Sequence, residues 1–374
     1  MKIAIMFPNH SEALFDKNSS RTFGGASVQM YLIAKELSEY KRINTYSFIP
    51  EYNLIDFDDN EKFDIVNIFK ESDPLLVKIT KFNSRVHRIK PDVIIQHGLT
   101  FFSCLLAVYC KLSKIKFVYM FASDKEVQGK YQNNGKKCIL FNLLVKKSSI
   151  LISQNLFQHD LLLKKYNKRS YLIYNGFNID KNVVEEKRFI LWVGRCDTIK
   201  KPELFLELAK KNPNESFLMI APETLDKEYY SSIKTNAKKI ENLRFISFVP
   251  FSEIDSFFKH AKVLINSSEY EGFPQTFIQA FKAGTPVISL NVNPDKILSK
   301  YNCGICANGD FNKMAKLLEN LIIDANLLNL MSQNAYNYAK ENHDIKLNVK
   351  NLLKLIFPDL NSKYLEDKDK DKIL

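Results

Sequence analysis

The sequence lacks most features that mark membrane-spanning, disulfide-bonded or metal-binding proteins. Its 374 residues contain no run of eighteen apolar residues, so it predicts no transmembrane helix. The six cysteines are scattered, and Cys303 and Cys306 form a lone CxxC with no second pair or suitable histidine nearby. Reduced thiols, no bound metal and a cytoplasmic location are therefore expected. The opening MKIAIMF is too short for a secretory signal and indicates a first β-strand.

Motifs of several ligand-binding classes are also absent. The chain has no GxGxxG fingerprint, no Walker loop, no aromatic-rich RNA motif and no helix-turn-helix signature. Its net charge is +12, which suits an anionic surface or a phosphorylated substrate as well as a nucleic acid. Residues 1–180 carry 26 basic and 17 acidic side chains, so most of the excess lies there. We expect no nucleic-acid partner.

One segment of the basic half, LLVKITKFNSRVHRIK, predicts an amphipathic helix. Its basic side chains recur at helical spacing: Lys78, Lys81, Arg85 and Arg88. Its apolar side chains fill another face: Leu75, Ile79, Phe82, Val86 and Ile89. Two interpretations stay open, a surface helix with a solvated basic side and contact with anionic lipid head groups.

The order of apolar runs predicts two α/β domains in tandem. In the first part KIAIMF, NTYSFI, FDIVNI, PDVIIQ, KFVYMF and SILISQ are typical of buried strands, and helical patterns separate them. The same alternation resumes with RFILWVG after the Asn175-Gly176 turn and an acidic linker. Strand-helix alternation indicates parallel sheets covered by helices on both faces, so we expect two facing, Rossmann-like, doubly wound domains with a cleft between them.

The expected boundaries follow from these patterns. Residues 1–177 form the first domain and 178–342 the second. The end of the chain is helical, and EDKDKDK has too few apolar groups to pack, so 362–374 is predicted to be disordered.

Ligands of open parallel sheets bind at the carboxyl ends of strands, near helix N-termini, so residues just after strands are the candidates. In the first domain Gly24-Gly25 precede a helix and are either a plain turn or a ligand loop. His97 ends a strand, where it either positions a substrate hydroxyl or caps the next helix. Asp124 follows the next strand as an N-cap or a site residue.

The second domain gives stronger signals. Gly194-Arg195 end a strand and Lys200 lies at the start of a helix, so both cations are able to converge on a diphosphate. In SSEYEGFPQTFIQAF, Pro274 suits a first helical turn, and the N–H groups of Gly272 and Phe273 are placed to face a phosphate or a sugar. Glu271 is then expected to accept hydrogen bonds from sugar hydroxyls, and the helix face of Thr276 and Gln279 to reach a second polyol such as a ribose.

These motifs together resemble glycosyltransferase family 4: GR followed by a lysine, then EGFP and a helix, then AGTPVIS. The resemblance spans most of the chain and is most specific over residues 189–290. It implies a GT-B fold and a retaining, metal-independent enzyme without a cofactor. Such an enzyme moves a sugar from a nucleoside-diphosphate donor to a glycan or lipid-linked acceptor. SLNVNPDKIL resembles a subgroup that makes bacterial surface polysaccharides.

The resemblance also implies roles for individual residues. Arg195 and Lys200 match the pair that binds the donor diphosphate, and Glu271 matches the first acid of an E-x7-E motif beside the donor sugar. Gln279 departs from the family at the second acid, which usually binds ribose, although its amide still offers an acceptor and a donor.

In the first domain the resemblance places three features. Gly24-Gly25 match the loop beneath the diphosphate, His97 the histidine near the reacting centre, and Asp124 the polar residue on the acceptor side. Asn175 aligns with an NG turn before the linker. The family's last helix commonly crosses back to the first domain, and 343–361 is expected to do so here.

The hypothesis is therefore a retaining hexosyltransferase of surface-polysaccharide synthesis, cytoplasmic and peripheral at the inner face of the membrane. Two alternatives remain: a nucleotide-sugar epimerase on the same fold, which needs further acid/base residues, and a non-catalytic nucleotide- or glycan-binding protein with a relic donor site.

Overall fold

A computed structural model describes residues 1–16, 24–52, 61–128, 135–179, 186–224 and 226–359. These residues form two compact units. The first contains the chain up to Gly176 together with the helix Ile345–Ile356, and the second runs from Phe177 to Asp344. The predicted disordered tail, 362–374, lies outside the described residues.

The first unit is built on a seven-stranded sheet, in which every neighbouring pair is parallel. Its strands are β1 (Lys2–Met6), β2 (Asn44–Ile49), β3 (Asp64–Asn67), β4 (Val93–His97), β5 (Lys116–Met120), β6 (Ile150–Ser153) and β7 (Tyr171–Leu172). They lie in the order β3-β2-β1-β4-β5-β6-β7. The central strands are buried along their whole length, which explains why their sequences are continuous apolar runs rather than alternating ones.

Helices cover this sheet and begin where the local sequence provides caps. They are α1 (Gly25–Leu37), α2 (Leu75–Ile89), α3 (Phe101–Leu112), α4 (Asp124–Gln128), α5 (Gly135–Lys147) and α6 (Leu156–Tyr166). Thr100 and Ser103 form a capping box at α3, so the cap of this helix is Thr100 and the capping role considered for His97 is wrong. Asn155 caps α6 by accepting a hydrogen bond from the backbone of Gln158.

The second unit repeats this architecture with six parallel strands. Its strands are β8 (Phe189–Val193), β9 (Phe217–Ile220), β10 (Leu243–Ile246), β11 (Ala261–Asn266), β12 (Val287–Ser289) and β13 (Gly304–Cys306), in the order β10-β9-β8-β11-β12-β13. Its helices are α7 (Pro202–Lys211), α8 (Lys227–Ala237), α9 (Ile254–Lys259), α10 (Gln275–Lys282), α11 (Ile297–Lys300), α12 (Phe311–Ile323) and α13 (Ala325–Asn342).

The last helix, α14 (Ile345–Ile356), packs in the first unit against α1. One face of α14 is apolar and buried, and the ammonium of Lys116 donates to the carbonyl of Ile356 at 2.7 Å. Where the chain passes between units, Asn348 donates to the carbonyl of Tyr174 and Gln29 exchanges two hydrogen bonds with the backbone of Gly176. Asn348 thereby attaches α14 to the segment Tyr174–Gly176, and Gln29 attaches the same segment to α1.

The sequence patterns missed one strand that explains the CxxC pair. Residues Gly304–Cys306 form β13 at the sheet edge, with Gly304 so close to β12 that a Cβ there would lie 2.3 Å from the carbonyl oxygen of Val287. Cys303 is buried and both thiols are free. The spacing of this pair therefore reflects a tightly packed strand.

Among the described residues, no helix is both long and apolar enough to cross a bilayer.

Substituting Gly176 by alanine tests the packing of Gly176 against the start of α14. A Cβ there would lie 2.9 Å from the Cα of Ile345, so backbone has to move, and we expect a loss of about 1–3 kcal/mol in the free energy of unfolding. Chemical denaturation measures it. Gly24→Ala is the matched control, because a Cβ at Gly24 meets no atom within 4 Å. Equal stability of the two variants would contradict this packing.

Candidate functional site

The candidate residues of the second unit lie together because β8 and β11 are neighbours in its sheet. The strands pair in parallel, so the loops that follow them emerge at the same edge. Arg195 and Lys200 follow β8, and Glu271 follows β11. Lys200 and Glu271 are thereby brought into contact although they are distant in sequence, as their positions after strands predicted.

A short ion pair joins two of the predicted site residues. The ammonium nitrogen of Lys200 lies 2.6 Å from Oε2 of Glu271, and the side chains are 22% and 17% exposed. The other carboxylate oxygen of Glu271, Oε1, accepts hydrogen bonds from Asn266 at 2.9 Å and from Ser268 at 2.7 Å. With both oxygens engaged, the carboxylate has a fixed orientation, and the ammonium is held at the loop surface where an anionic ligand is able to reach it.

Two further cations accompany this pair. Arg195 is largely exposed and lies 3.4 Å from Asp197, while Lys201 lies 3.4 Å from Glu269. Asp197 also accepts from the backbone N–H of Lys200 and so caps the single 3-10 turn before α7. No sequence motif indicated a role for Lys201 or a partner for Glu269. The sequence feature that could have indicated Lys201 is its place beside Lys200, directly before Pro202.

The segment before α10 carries the other donor-side candidates. Pro274 precedes the first helical residue as the N-cap, so the expectation that it occupies the first turn is corrected by one position. The ring of Phe273 is buried and lies 5.0 Å from the ring of His343, which explains an apolar residue beside Gly272. Thr276 lies one turn before the buried side chain of Gln279 on α10.

The side chain of Gln279 is 7% exposed. It lies in the interior of α10, among buried residues of that helix. Gly194, at the end of β8, has a separate packing role, because a Cβ there would lie 3.2 Å from the ring of Trp192.

In the first unit, His97 and Asn175 belong to one buried polar cluster. Nε2 of His97 lies 2.5 Å from Nε2 of Gln154, which also donates to the carbonyl of Phe121. The oxygen of the same Gln154 amide accepts from Asn175 at 2.8 Å. Gln154 was not predicted, although it directly follows β6 as the other candidates follow their strands. Two predicted site residues, His97 and Asn175, are thus linked by hydrogen bonds to Gln154.

Burial lowers the pKa of His97 from 6.5 to about 4, although hydrogen bonds with the backbones of Phe121 and Ala26 act in the opposite direction. The imidazole is therefore neutral near pH 7. The exposed backbone of Gly24 has free space where a side chain would be, which suits close approach of a ligand.

Asp124 is engaged within the fold. Its Oδ1 accepts from Asn155 and from Gln158, both at 2.9 Å, and these residues belong to the start of α6. Nearby, Glu126 is buried, and burial raises its pKa to about 7 despite hydrogen bonds from the Tyr119 hydroxyl and the Ala122 N–H. No sequence pattern indicated this second acid, because the burial of Glu126 is decided by the tertiary fold.

No group of three or more His, Cys, Asp or Glu side chains suited to a metal ion occurs in the described ranges. The expectation of a metal-independent reaction stays a prediction.

Comparison with known proteins gives an independent view of the second unit. Residues 175–338 match the family model described as "Glycosyl transferases group 1". An uncharacterised glycosyltransferase of Methanocaldococcus jannaschii is 20% identical over 89% of this chain and 94% of its own. The O-antigen biosynthesis glycosyltransferase WclY of Escherichia coli is 22% identical over 73% of this chain and 78% of its own. A glycosyltransferase 1 domain-containing protein of Xenopus tropicalis is 22% identical, but the match spans only 44% of that protein and 40% of this chain.

Solved structures show the fold. Sucrose-phosphate synthase from Thermosynechococcus elongatus has a TM-score of 0.77 at 15% identity, covering 95% of this chain and 98% of its own. HepE of Anabaena, in complex with UDP and glucose, has a TM-score of 0.73 at 15% identity, with 96% and 100% covered. UDP-GlcNAc 2-epimerase from Neisseria meningitidis has a TM-score of 0.61 at 16% identity, with 95% and 100% covered. The predicted GT-B fold class is confirmed.

The pKa of His97 predicts a pH-dependent stability. Below pH 6.5 the unfolded chain binds a proton at this residue, but the folded chain does not until about pH 4. The free energy of unfolding should therefore fall as the pH drops through this window. Denaturant titrations between pH 4 and 7 measure it. His97→Asn should flatten the slope, and an identical slope in the variant and the native protein would contradict the assignment.

Proposed function

We propose that the chain is a group 1 glycosyltransferase that transfers a hexose-type sugar from a nucleoside-diphosphate sugar to a hydroxyl group, a proposal that the match of residues 175–338 to that family model supports. The acceptor would be a glycan or a lipid-linked glycan. The observation that carries the proposal is the Lys200–Glu271 ion pair, held at the carboxyl edge of β8 and β11, with Arg195 in the same loop as Lys200. Cations at this edge suit a diphosphate, and a fixed carboxylate suits sugar hydroxyls.

In the proposed reaction the bond between the anomeric carbon and the diphosphate oxygen breaks, and the acceptor oxygen forms a new bond to the same carbon. The acceptor's proton passes to the departing diphosphate. Negative charge develops on that leaving group, and Arg195 and Lys200 would stabilise it. We propose that these side chains supply the charge without a metal ion and that the anomeric configuration is retained.

The donor's approach to Lys200 requires an exchange of partners. In this structure its ammonium contacts Glu271, so a phosphate oxygen has to share or replace that contact. Glu271 released in part from Lys200 would then have lone pairs for the sugar. The buried amide of Gln279 would serve the ribose diol, in place of the acid usual at this position. Gly194, Gly272 and Thr276 would line the donor.

The first unit would supply the acceptor side. We assign His97 a place near the reacting centre, with Gly24-Gly25 beneath the diphosphate and Asp124 and Asn175 toward the acceptor. The neutral imidazole of His97 can orient a hydroxyl group but carries no charge near pH 7. A role in cell-surface polysaccharide synthesis is proposed because WclY, a relative, acts in O-antigen biosynthesis.

Donor binding is tested by thermal-shift measurements with UDP, GDP, ADP and their sugars. We expect one nucleoside diphosphate to raise the melting temperature. Arg195→Ala and Lys200→Ala should weaken its binding by about 10- to 100-fold, since each removes a charge-assisted contact. Glu271→Ala should remove the additional shift given by the matching sugar.

Lys262→Ala is the matched control, because Lys262 pairs with Glu215 at 2.7 Å in the same unit and has similar exposure to Lys200. It should bind the nucleotide like the native protein. A native protein that responds to none of these ligands would overturn the proposal in favour of a relic site. Conversion of the nucleotide sugar to its epimer without an acceptor would favour an epimerase.

We also propose a peripheral location at the inner face of the cytoplasmic membrane, through α2. Three apolar side chains in its first turns are exposed: Leu75, Leu76 and Ile79. Three of its basic side chains contact the protein itself: Lys81 pairs with Asp73, Arg85 donates to the carbonyl of Asn67, and Lys78 donates to that of Glu71. The apolar side chains, with the exposed Arg88, are therefore the better targets for a test.

The double variant Leu76→Glu/Ile79→Glu should lose sedimentation with vesicles that contain anionic phospholipid, because it places carboxylates where apolar groups would enter the interface. Ile323→Glu is the control, since Ile323 is similarly exposed but lies in the second unit. Nucleotide binding should be unchanged in both. Sedimentation of the double variant at the native level would refute this membrane contact.

A further inference from the structure

The loop that carries Lys200 is held through its backbone by the segment that follows β11. The N–H of Glu269 donates to the carbonyl of Ile199 at 2.9 Å, and the hydroxyl of Ser267 donates to the carbonyl of Lys200 at 2.6 Å. Ser267 is fully buried. Its hydroxyl therefore fixes Lys200 from the interior of the unit, while the ammonium group remains at the surface.

The direction of this hydrogen bond is fixed by the only tryptophan of the chain, Trp192. Its indole N–H donates to the hydroxyl oxygen of Ser267 at 2.9 Å, and both side chains are buried. An indole nitrogen is a donor only, so Ser267 must accept from Trp192. The single hydroxyl proton of Ser267 is then committed to the carbonyl of Lys200.

The backbone beside Lys200 needs such support. The next residue, Lys201, has φ +46° and ψ +53°, in the left-handed region, which is unfavourable for a residue with a side chain. Pro202 then begins α7 with its own fixed φ. Hydrogen bonds to the two preceding carbonyl groups oppose relaxation of this turn.

The same short segment orients the partner of Lys200. Asn266 and Ser268, on either side of Ser267, both donate to Oε1 of Glu271. Three consecutive residues, the last of β11 and the two that follow it, thus set both members of the ion pair. Ser267 is the one that acts on Lys200, and it does so without touching the ammonium group.

We propose that Ser267, fixed by Trp192, is a positioning residue that sets the place of the Lys200 ammonium group. The consequence for donor binding rests on the function proposed above, but the effect on Lys200 itself does not. Removal of the Ser267 hydroxyl should therefore release Lys200 from its close pairing with Glu271 whether or not the donor is a nucleotide sugar.

The first experiment measures the acetylation rate of Lys200 by an amine-selective reagent, read by mass spectrometry. In Ser267→Ala the rate should rise roughly two- to ten-fold, the range expected for loss of one neutral hydrogen bond. Lys262, in its own 2.7 Å pair with Glu215, is the internal control and should react as in the native protein.

Thr285→Val is the matched variant. Thr285 is also fully buried, and its hydroxyl donates to the carbonyl of Phe258 at 2.8 Å, but it precedes β12 at the opposite edge of the sheet. Loss of this hydroxyl should leave the Lys200 rate unchanged. Trp192→Phe, which removes the indole N–H and keeps an aromatic ring, should raise the rate, whereas Ser267→Thr should keep it near the native value.

A second readout uses the emission of Trp192, which should shift in Ser267→Ala because the indole loses its acceptor. Titration with UDP and with pyrophosphate should then give a weaker affinity in this variant than in Thr285→Val. An unchanged Lys200 rate in both Ser267→Ala and Trp192→Phe, or an equal rise in Thr285→Val, would overturn the proposal. Absence of nucleotide binding in the native protein would instead contradict the proposed donor site. The acetylation rates of Lys200 would then decide whether Ser267 positions Lys200.

Discussion

The parallel pairing of β8 with β11 is the constraint on which the candidate donor site depends. Parallel strands emerge at the same sheet edge, so the loops bearing Lys200 and Glu271 meet although they are distant in sequence. Two partly buried charges are stable only when they are paired and hydrogen-bonded. Asn266 and Ser268 supply the additional donors that the Glu271 carboxylate needs.

The first unit applies the same rule to neutral groups. His97, Gln154 and Asn175 lie at the ends of strands or just beyond them, and hydrogen bonds join them into one buried cluster. Burial removes the charge of the imidazole near pH 7. The first unit thus buries a neutral polar cluster at the ends of its strands, whereas the second unit has ion pairs at the corresponding place.

Some motif residues that looked functional have a structural role. In AGTPVIS the hydroxyl of Thr285 bonds the backbone carbonyls of Phe258 and Ala261, and Gly284 adopts φ +61°, which favours glycine. The Oδ1 of Asp124 is similarly engaged by Asn155 and Gln158. A family motif therefore combines residues that build the strand–helix turns with residues that face the site.

The sequence by itself determined the two-domain α/β fold, because buried parallel strands are continuous apolar runs and the helices between them are amphipathic. It also predicted that Arg195, Lys200 and Glu271 follow strands of the second unit, and the structure places them after β8 and β11. Tertiary structure alone decided which of these touch, that Ser267 and Trp192 support Lys200, and that Glu126 is a buried acid. Strand order brings together residues that no local sequence pattern relates, and the burial of a side chain is decided by the whole fold.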